Sequence, residues 1–241
     1  MHFIGSGDAF GSGGRFQTCI LLDGGLERVL LDCGASSLVG LKGAGIHPST
    51  ITTILITHLH GDHFGGIPFF LLDAQFSKRT DPLVIAGPPT IQRRVRDAQE
   101  VLFPNSCQTP QRFPIEFIEM QPEAFLQVQS SRVTAFPVIH SSGAPSHALR
   151  VEFGGCTITY SGDTEWTDRL AAAAAEADLF ICEAYFFKKK VKYHLDYQTL
   201  AEHRLDLTCK RIIITHMSDD MLAHSDGLDI ACAFDGLIIS L

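Results

Sequence analysis

The segment His58-Leu59-His60-Gly61-Asp62-His63 packs three imidazoles and one carboxylate into six residues, more ligating capacity than one metal ion accepts from so short a loop. Apolar, strand-like runs lead into this segment and into three more potential ligands. Ile54-Leu55-Ile56-Thr57 precedes His58, Phe136-Pro137-Val138-Ile139 precedes His140, Ile158-Thr159-Tyr160-Ser161-Gly162 precedes Asp163, and Ile212-Ile213-Ile214-Thr215 precedes His216. Strand ends that open on one edge of an α/β sheet are where ligand sites form, because loops there vary over a rigid scaffold. The four ends are therefore expected to meet around two divalent cations. Such a pair, about 3.5–4 Å apart, recurs in the hydrolysis of phosphates and related esters. Imidazole and carboxylate without thiolate suit zinc, with manganese or iron as competitors. A single His after an apolar strand is ordinarily a hydrogen-bonded core or surface residue. Four coincidences beside one His-x-His-x-Asp-His segment outweigh that reading.

Runs rich in Val, Ile, Thr and Phe predict strands at residues 1–4, 17–22, 28–32, 52–57, 83–86, 115–120, 132–140, 147–153, 157–161, 179–182, 211–215 and 236–240. Helices are expected at residues 36–44, 64–77, 89–103, 167–176 and 197–205. In the second of these, Ile67, Phe70, Leu71 and Ala74 share one face at helical spacing. Strands mixed with helices imply a layered α/β (α+β) architecture with sheet inside and helices outside. No stretch has the composition of a flexible linker, residues 105–114 coming nearest, so one domain over residues 1–241 is expected.

With 45% apolar and 19% charged residues, the chain can bury a full core, which excludes disorder, collagen-like repeats and coiled coil. Its 27 acidic residues against 19 basic ones give a net charge of −8. That balance argues against a DNA-binding surface working by general charge attraction. The opening residues lack a signal-like pattern and no apolar run approaches the roughly 20 residues that span a bilayer, so a cytoplasmic protein without membrane contact is expected. Seven scattered cysteines with no Cys-x-x-Cys pair make neither a disulfide framework nor a thiolate metal site. Gly5-Ser6-Gly7-Asp8-Ala9-Phe10-Gly11 lacks the spacing of a dinucleotide fingerprint and reads as a glycine loop near the site entrance. Lys188, Lys189, Lys190 and Lys192 read either as a solvated loop or as a grip for an anion.

His58-x-His60-x-Asp62-His63 followed in order by His140, Asp163 and His216 is similar to the metallo-β-lactamase superfamily. Phe3-Ile4-Gly5-Ser6-Gly7, Leu31-Asp32-Cys33-Gly34, Tyr160-Ser161-Gly162-Asp163-Thr164 and Thr215-His216 resemble its ribonuclease Z-like branch, in a short form. The resemblance spans nearly the whole chain. It implies a four-layer αββα sandwich with mixed sheets, helices on the outer faces, and a two-metal site at one edge. It places His58, His60 and His140 on one metal and Asp62, His63 and His216 on the other, with Asp163 bridging and Asp32 orienting the residue 58–63 loop. It further implies that Glu183 and His194 form a proton relay to the leaving group. This chain has Cys182 where the family usually has His, and Tyr193-His194-Leu195-Asp196 in place of its Gly-His-Ser-Thr. Between His140 and Asp163, where long tRNA-processing members carry a tRNA-gripping arm, only residues 141–162 intervene.

The expected activity is that of a dinuclear metal-dependent hydrolase, foremost a phosphodiesterase using a metal-bridging hydroxide, with Asp62, Glu183 and His194 as catalytic groups. The expected partner is a small anionic substrate, a nucleotide or short RNA. Hydrolysis of a thioester, lactone, lactam or sulfate ester is the alternative, because the same hydroxide attacks a carbonyl. An iron-dependent oxidoreductase on the same scaffold and a catalytically silent binding protein rank below both. The Phe- and Leu-rich helix from residue 64 supplies either core or a homodimer interface.

Overall fold

Successive residues of a strand face opposite ways, so a strand that is apolar throughout must be covered on both sides. The computed structural model describes residues 1–241 and shows that pattern deciding the layers. Strands β1 (His2–Gly5), β2 (Cys19–Asp23), β3 (Arg28–Leu31), β4 (Thr53–Leu55), β5 (Leu83–Gly87) and β6 (Ile115–Glu119) form one sheet in chain order. A second sheet contains β7 (Phe125–Val128), β8 (Ser131–Pro137), β9 (His147–Phe153), β10 (Cys156–Tyr160), β11 (Leu179–Glu183), β12 (Ile212–Thr215) and β13 (Ala231–Cys232), again as sequential neighbours. Antiparallel pairing at β1–β2–β3 gives way to parallel pairing from β3 to β6, and antiparallel β7–β10 to parallel β10–β13.

Val29 and Leu31 of β3, Leu55 of β4, Leu179 and Ile181 of β11 and Ile213 of β12 meet in the apolar layer between the sheets. Their alternates Leu30 and Ile54 face outward into a second apolar layer under α1 (Ser37–Gly43), α3 (Ile67–Phe76) and α4 (Ile91–Leu102). Phe180, Cys182, Ile212 and Ile214 do the same on the other side, under α5 (Asp168–Ala174), α6 (Tyr197–Glu202) and α7 (Asp219–Leu222). The result is the αββα sandwich with mixed sheets. No helix is long and apolar enough to cross a membrane.

Two expectations are corrected. The helix expected over residues 64–77 is two: α2 (Gly61–Phe64) ends before Gly65-Gly66, and α3 begins at Ile67 with Pro68 in its first turn. Gly66 lies against the preceding loop, where a Cβ would stand 2.1 Å from the Gly34 carbonyl oxygen, so the break is a backbone-to-backbone contact that only glycine permits. The strand expected over residues 236–240 does not form as one. The segment lies along β1 through one bridge, His2 to Ile238, while β13 takes the edge of the second sheet. Three elements went unread: β7, whose alternation is largely exposed, the two-residue β13, and the one-turn α7 capped by Ser218.

Candidate metal centre

Beyond β4, Ile56 and Thr57 carry the chain to His58 at the sheet edge, and α2 turns it at once. His63 and Phe64 N–H both donate to the His60 carbonyl at 3.0 Å, which brings the side chains of residues 58–63 into one small volume. The turn is held from behind, since Cys33 N–H donates to the His63 carbonyl at 2.6 Å and Gly66 N–H to the Cys33 carbonyl at 2.8 Å. His140 follows β8, Asp163 follows β10 through Ser161 and Gly162, Glu183 ends β11, and His216 follows β12. Because β10, β11 and β12 run parallel in adjacent positions, their C-terminal ends must open on the same edge.

The ligand atoms fall into groups. Those of His58, His60 and His140 lie within 4.8 Å of one another, and so do those of Asp62, His63, Asp163 and His216. Asp163 faces both: its Oδ1 is 3.2 Å from His63 Nε2 and 3.4 Å from His216 Nε2, its Oδ2 3.8 Å from His58 Nε2 and 4.0 Å from His140 Nε2. Asp62 Oδ2 is 3.2 Å from both His63 and His216. His60 Nδ1 meets His140 Nε2 at 3.0 Å, and His63 Nε2 meets His216 Nε2 at 3.3 Å.

The surrounding carboxylates set the charge of these imidazoles. Burial opposes charge on His63, but Asp163, Asp62 and Asp32 outweigh it and hold this imidazole well above its ordinary pKa. Burial likewise opposes, and Asp163 and the Asp62 bond overcome, at His216, pushed up to about 9. His58 goes the other way, well down, through burial and the nearby His63 charge. Burial would raise the Asp62 carboxyl, yet His63 and His216 pull it far below the carboxylate range. These carboxylates demand concentrated positive charge, which divalent cations supply. Buried His58 Nε2 and Asp163 Oδ1, both aimed into the cluster, have no hydrogen-bond partner, and such atoms are rare without a ligand to receive them. The donor set therefore fits a dinuclear imidazole and carboxylate centre.

Asp32 is fully buried behind the loop. Its Oδ2 accepts from His63 Nδ1 at 2.7 Å and from Thr57 Oγ1 at 2.8 Å, and its Oδ1 accepts from Thr57 N–H at 2.8 Å. A carboxylate behind a ligating imidazole fixes its tautomer and leaves the far nitrogen free to ligate.

On the open side, His194 Nδ1 lies 3.1 Å from Glu183 Oε2 and 3.9 Å from Asp163 Oδ2. Glu183 is fully buried and its carboxyl is raised by burial and by the Asp163 charge. Burial pulls His194 down, but the Glu183 hydrogen bond and charge outweigh it and leave the imidazole above its ordinary value. Thr164 N–H pins the Glu183 carboxylate, and Ser161 Oγ accepts from Glu183 N–H at 2.9 Å. Asp196 caps α6 by accepting from Thr199 N–H at 2.9 Å, which fixes the segment just after His194. Cys182 stays away from the Glu183–His194 pair: it packs in the outer apolar layer, its thiol pushed well up by burial and by Glu183.

All the predicted site residues thus stand together at one edge. Thr57, Thr164, Glu165 and Tyr185 also belong to it and were not read from the sequence. Tyr185 packs its ring 4.7 Å from that of His194. Thr164 was within a quoted motif, but no spacing announces that its amide holds Glu183. The four lysines are exposed, with Lys188, Lys189 and Lys192 ammonium groups over the rings of Phe187, Phe186 and Tyr193.

A protein-family model described as Anti-Pycsar protein Apyc1 matches residues 1–234. Ribonuclease Z of Agathobacter rectalis is 25% identical, the match covering 88% of this chain and 85% of that protein. Ribonuclease Z of Methanothermobacter thermautotrophicus is 28% identical over 90% of this chain and 85% of that protein. The crystal structure of human tRNase Z, short form, is similar with a TM-score of 0.81 and 26% identity, covering 99% of this chain and 98% of that one. The fold is that of the metallo-β-lactamase superfamily, and its relatives include ribonuclease Z-like enzymes.

Proposed function

The chain belongs to the family described as Anti-Pycsar protein Apyc1, and from that membership we propose that it is a dinuclear metal-dependent phosphodiesterase acting on a small nucleotide or short RNA. One observation carries the reading: two ligand groups face each other across Asp163, with the Glu183–His194 pair beside them on the open side. His58, His60 and His140 would hold one cation and Asp62, His63 and His216 the other, with Asp163 between the two groups. The donor set favours zinc, with manganese or iron as alternatives. When bound, the cations supply Lewis acidity that activates water near neutral pH and offsets charge on the phosphoryl oxygens.

The chain's own groups do the rest. Asp62, its carboxyl held far below the usual range, stays ionised and accepts a hydrogen bond from the attacking water, aligning it opposite the leaving oxygen. His194 carries a proton because Glu183 stabilises its charged form, and delivers it to the departing alkoxide. Substrate size follows from what flanks the centre. Between His140 and Asp163 the chain forms a short loop and the β9–β10 hairpin, with no arm to grip a folded RNA. A homodimer through α3 and α4 belongs to the same reading, supported by the exposure of Phe76 (80%) and Val101 (81%).

The test is turnover of bis-p-nitrophenyl phosphate, cyclic nucleotides and short RNAs after chelation and stepwise return of zinc or manganese, with bound metal counted. Activity that returns as two metals bind supports the proposal. Two bound metals without turnover of any phosphodiester overturn it in favour of carbonyl or sulfate esters, and a single bound iron with oxygen consumption in favour of an oxidoreductase.

A further inference from the structure

We infer that Glu165 is a positioning residue for this centre, fixing the ring of His140 and the placement of His194 through the backbone of Tyr193. The inference rests on the metal-ligand and acid roles proposed above. Glu165 Oε1 accepts from Tyr193 N–H at 2.8 Å. The Tyr193 carbonyl accepts from His140 Nδ1 at 2.8 Å. Glu165 N–H donates to the carbonyl of Ile139, the residue before His140, at 3.1 Å. The bonds close a ring, from the His140 imidazole through the Tyr193 peptide and Glu165 back to the backbone that carries His140.

Tyr193 needs that ring. Its φ is +73°, a left-handed conformation disfavoured for any residue with a Cβ, and such conformations persist where surrounding bonds over-determine them. Here the N–H is taken by Glu165 and the carbonyl by His140. The same turn presents His194, the next residue, to Glu183. Elsewhere the segment is anchored without Glu165, since Tyr185 N–H donates to the Leu195 carbonyl at 2.8 Å and Asp196 caps α6. Glu165 therefore governs one peptide unit. With the Tyr193 carbonyl receiving Nδ1–H, the His140 Nε2 lone pair is directed at the centre, the arrangement by which a second partner tunes a ligating imidazole.

The experiment measures zinc affinity of the full chain by chelator competition for Glu165→Ala, Glu165→Gln and Tyr193→Gly, with kcat and KM on bis-p-nitrophenyl phosphate and the melting temperature in chelator. Glu165→Ala is expected to weaken one of the two zinc sites by about 10–100-fold and to lower kcat more than it changes KM, while Glu165→Gln, whose amide oxygen still accepts from Tyr193 N–H, returns to within about threefold of wild type. Tyr193→Gly keeps both peptide groups and tolerates the same φ, so it should bind zinc as wild type does. Unchanged zinc affinity in Glu165→Ala overturns the inference. So does a Gln variant as weak as Ala, a Tyr193→Gly variant as weak as either, or an equal loss at both sites with a fall in melting temperature, which marks a purely structural role. Wild-type protein that fails to bind two zinc ions overturns the metal reading itself, a result distinct from all of these.

Discussion

Replacing Asp32 by Asn changes one oxygen to NH₂ and tests how far a residue that touches no metal sets the metal affinity. Asp32 has φ +59°, which Asn tolerates, so the backbone is not the variable. Its two oxygens receive the His63 ring, the Thr57 amide and the Thr57 hydroxyl, all buried. Asn keeps one oxygen. If that oxygen stays on the Thr57 amide, the NH₂ faces His63 Nδ1, donor against donor. His63 must then leave the bond unmade or shift its proton to Nε2, the nitrogen 3.2 Å from Asp62 and Asp163. A hydrogen bond to a charged group is worth about 1.5–3 kcal/mol. At about 1.4 kcal/mol per tenfold, that is a loss of about ten- to a hundredfold in affinity at the His63 site, with the His58 site spared. Zinc competition against a chelator reads both sites. A variant whose two affinities stay within about twofold of wild type would refute the link from Asp32 through His63 to the metal.

His194→Ala should lower kcat by about 10²–10⁴-fold while two metals remain bound. Loss of a metal would make His194 a ligand, as its place in a group with His140 and Asp163 also allows. The acid must be protonated to act, and His194 stands above its ordinary pKa, so kcat should fall as pH rises through that raised value. Glu183→Gln removes the anion that raises it and should move this basic limb to lower pH, as a pH–kcat series would show. Substituting Lys188, Lys189 and Lys190 together by Ala should raise KM for an anionic substrate about three- to tenfold at low salt, an effect that fades with ionic strength. An unchanged KM would assign these lysines to solvent alone.

The strand ends were legible because each run is apolar on both faces and stops at a polar ligand. Ile54 and Leu55, or Ile213 and Ile214, can sit side by side only if helices cover one face and the other sheet the second. The centre was legible for the same reason, since parallel strands must end on a common edge. What escaped were contacts made by backbone. Nothing in the types of Thr164 and Tyr193 reveals that one amide holds Glu183 and one carbonyl holds His140. The break after α2 was signalled by Gly65-Gly66 followed by Pro68, a stronger punctuation than the helical spacing that overrode it. The run at residues 236–240 has strand composition and exchanges backbone hydrogen bonds with Met1 and Phe3, yet forms only the single bridge at His2, so composition alone could not tell a full sheet member from a segment lying against an edge.

The ligands come from both sheets: His58, His60, Asp62 and His63 follow β4 in the first, while His140, Asp163 and His216 follow β8, β10 and β12 in the second. His63 and His216 meet across a separation of 153 positions in the chain. No contiguous fragment can assemble this set, so it exists only after both sheets have stacked. Cations that bind it select the finished sandwich over every partly folded form. At a free concentration a hundred times the dissociation constant, each would add about 2.7 kcal/mol to the native state. At the open edge the two sheets are joined by few directional bonds, among them His147 N–H to the Thr57 carbonyl at 3.0 Å and His216 N–H to the Ser6 carbonyl at 3.1 Å, and bound cations would add a rivet there. With cations bound there, the lifetime of the folded chain against proteolysis would be tied to the metal supply around it, independently of whether any substrate is present.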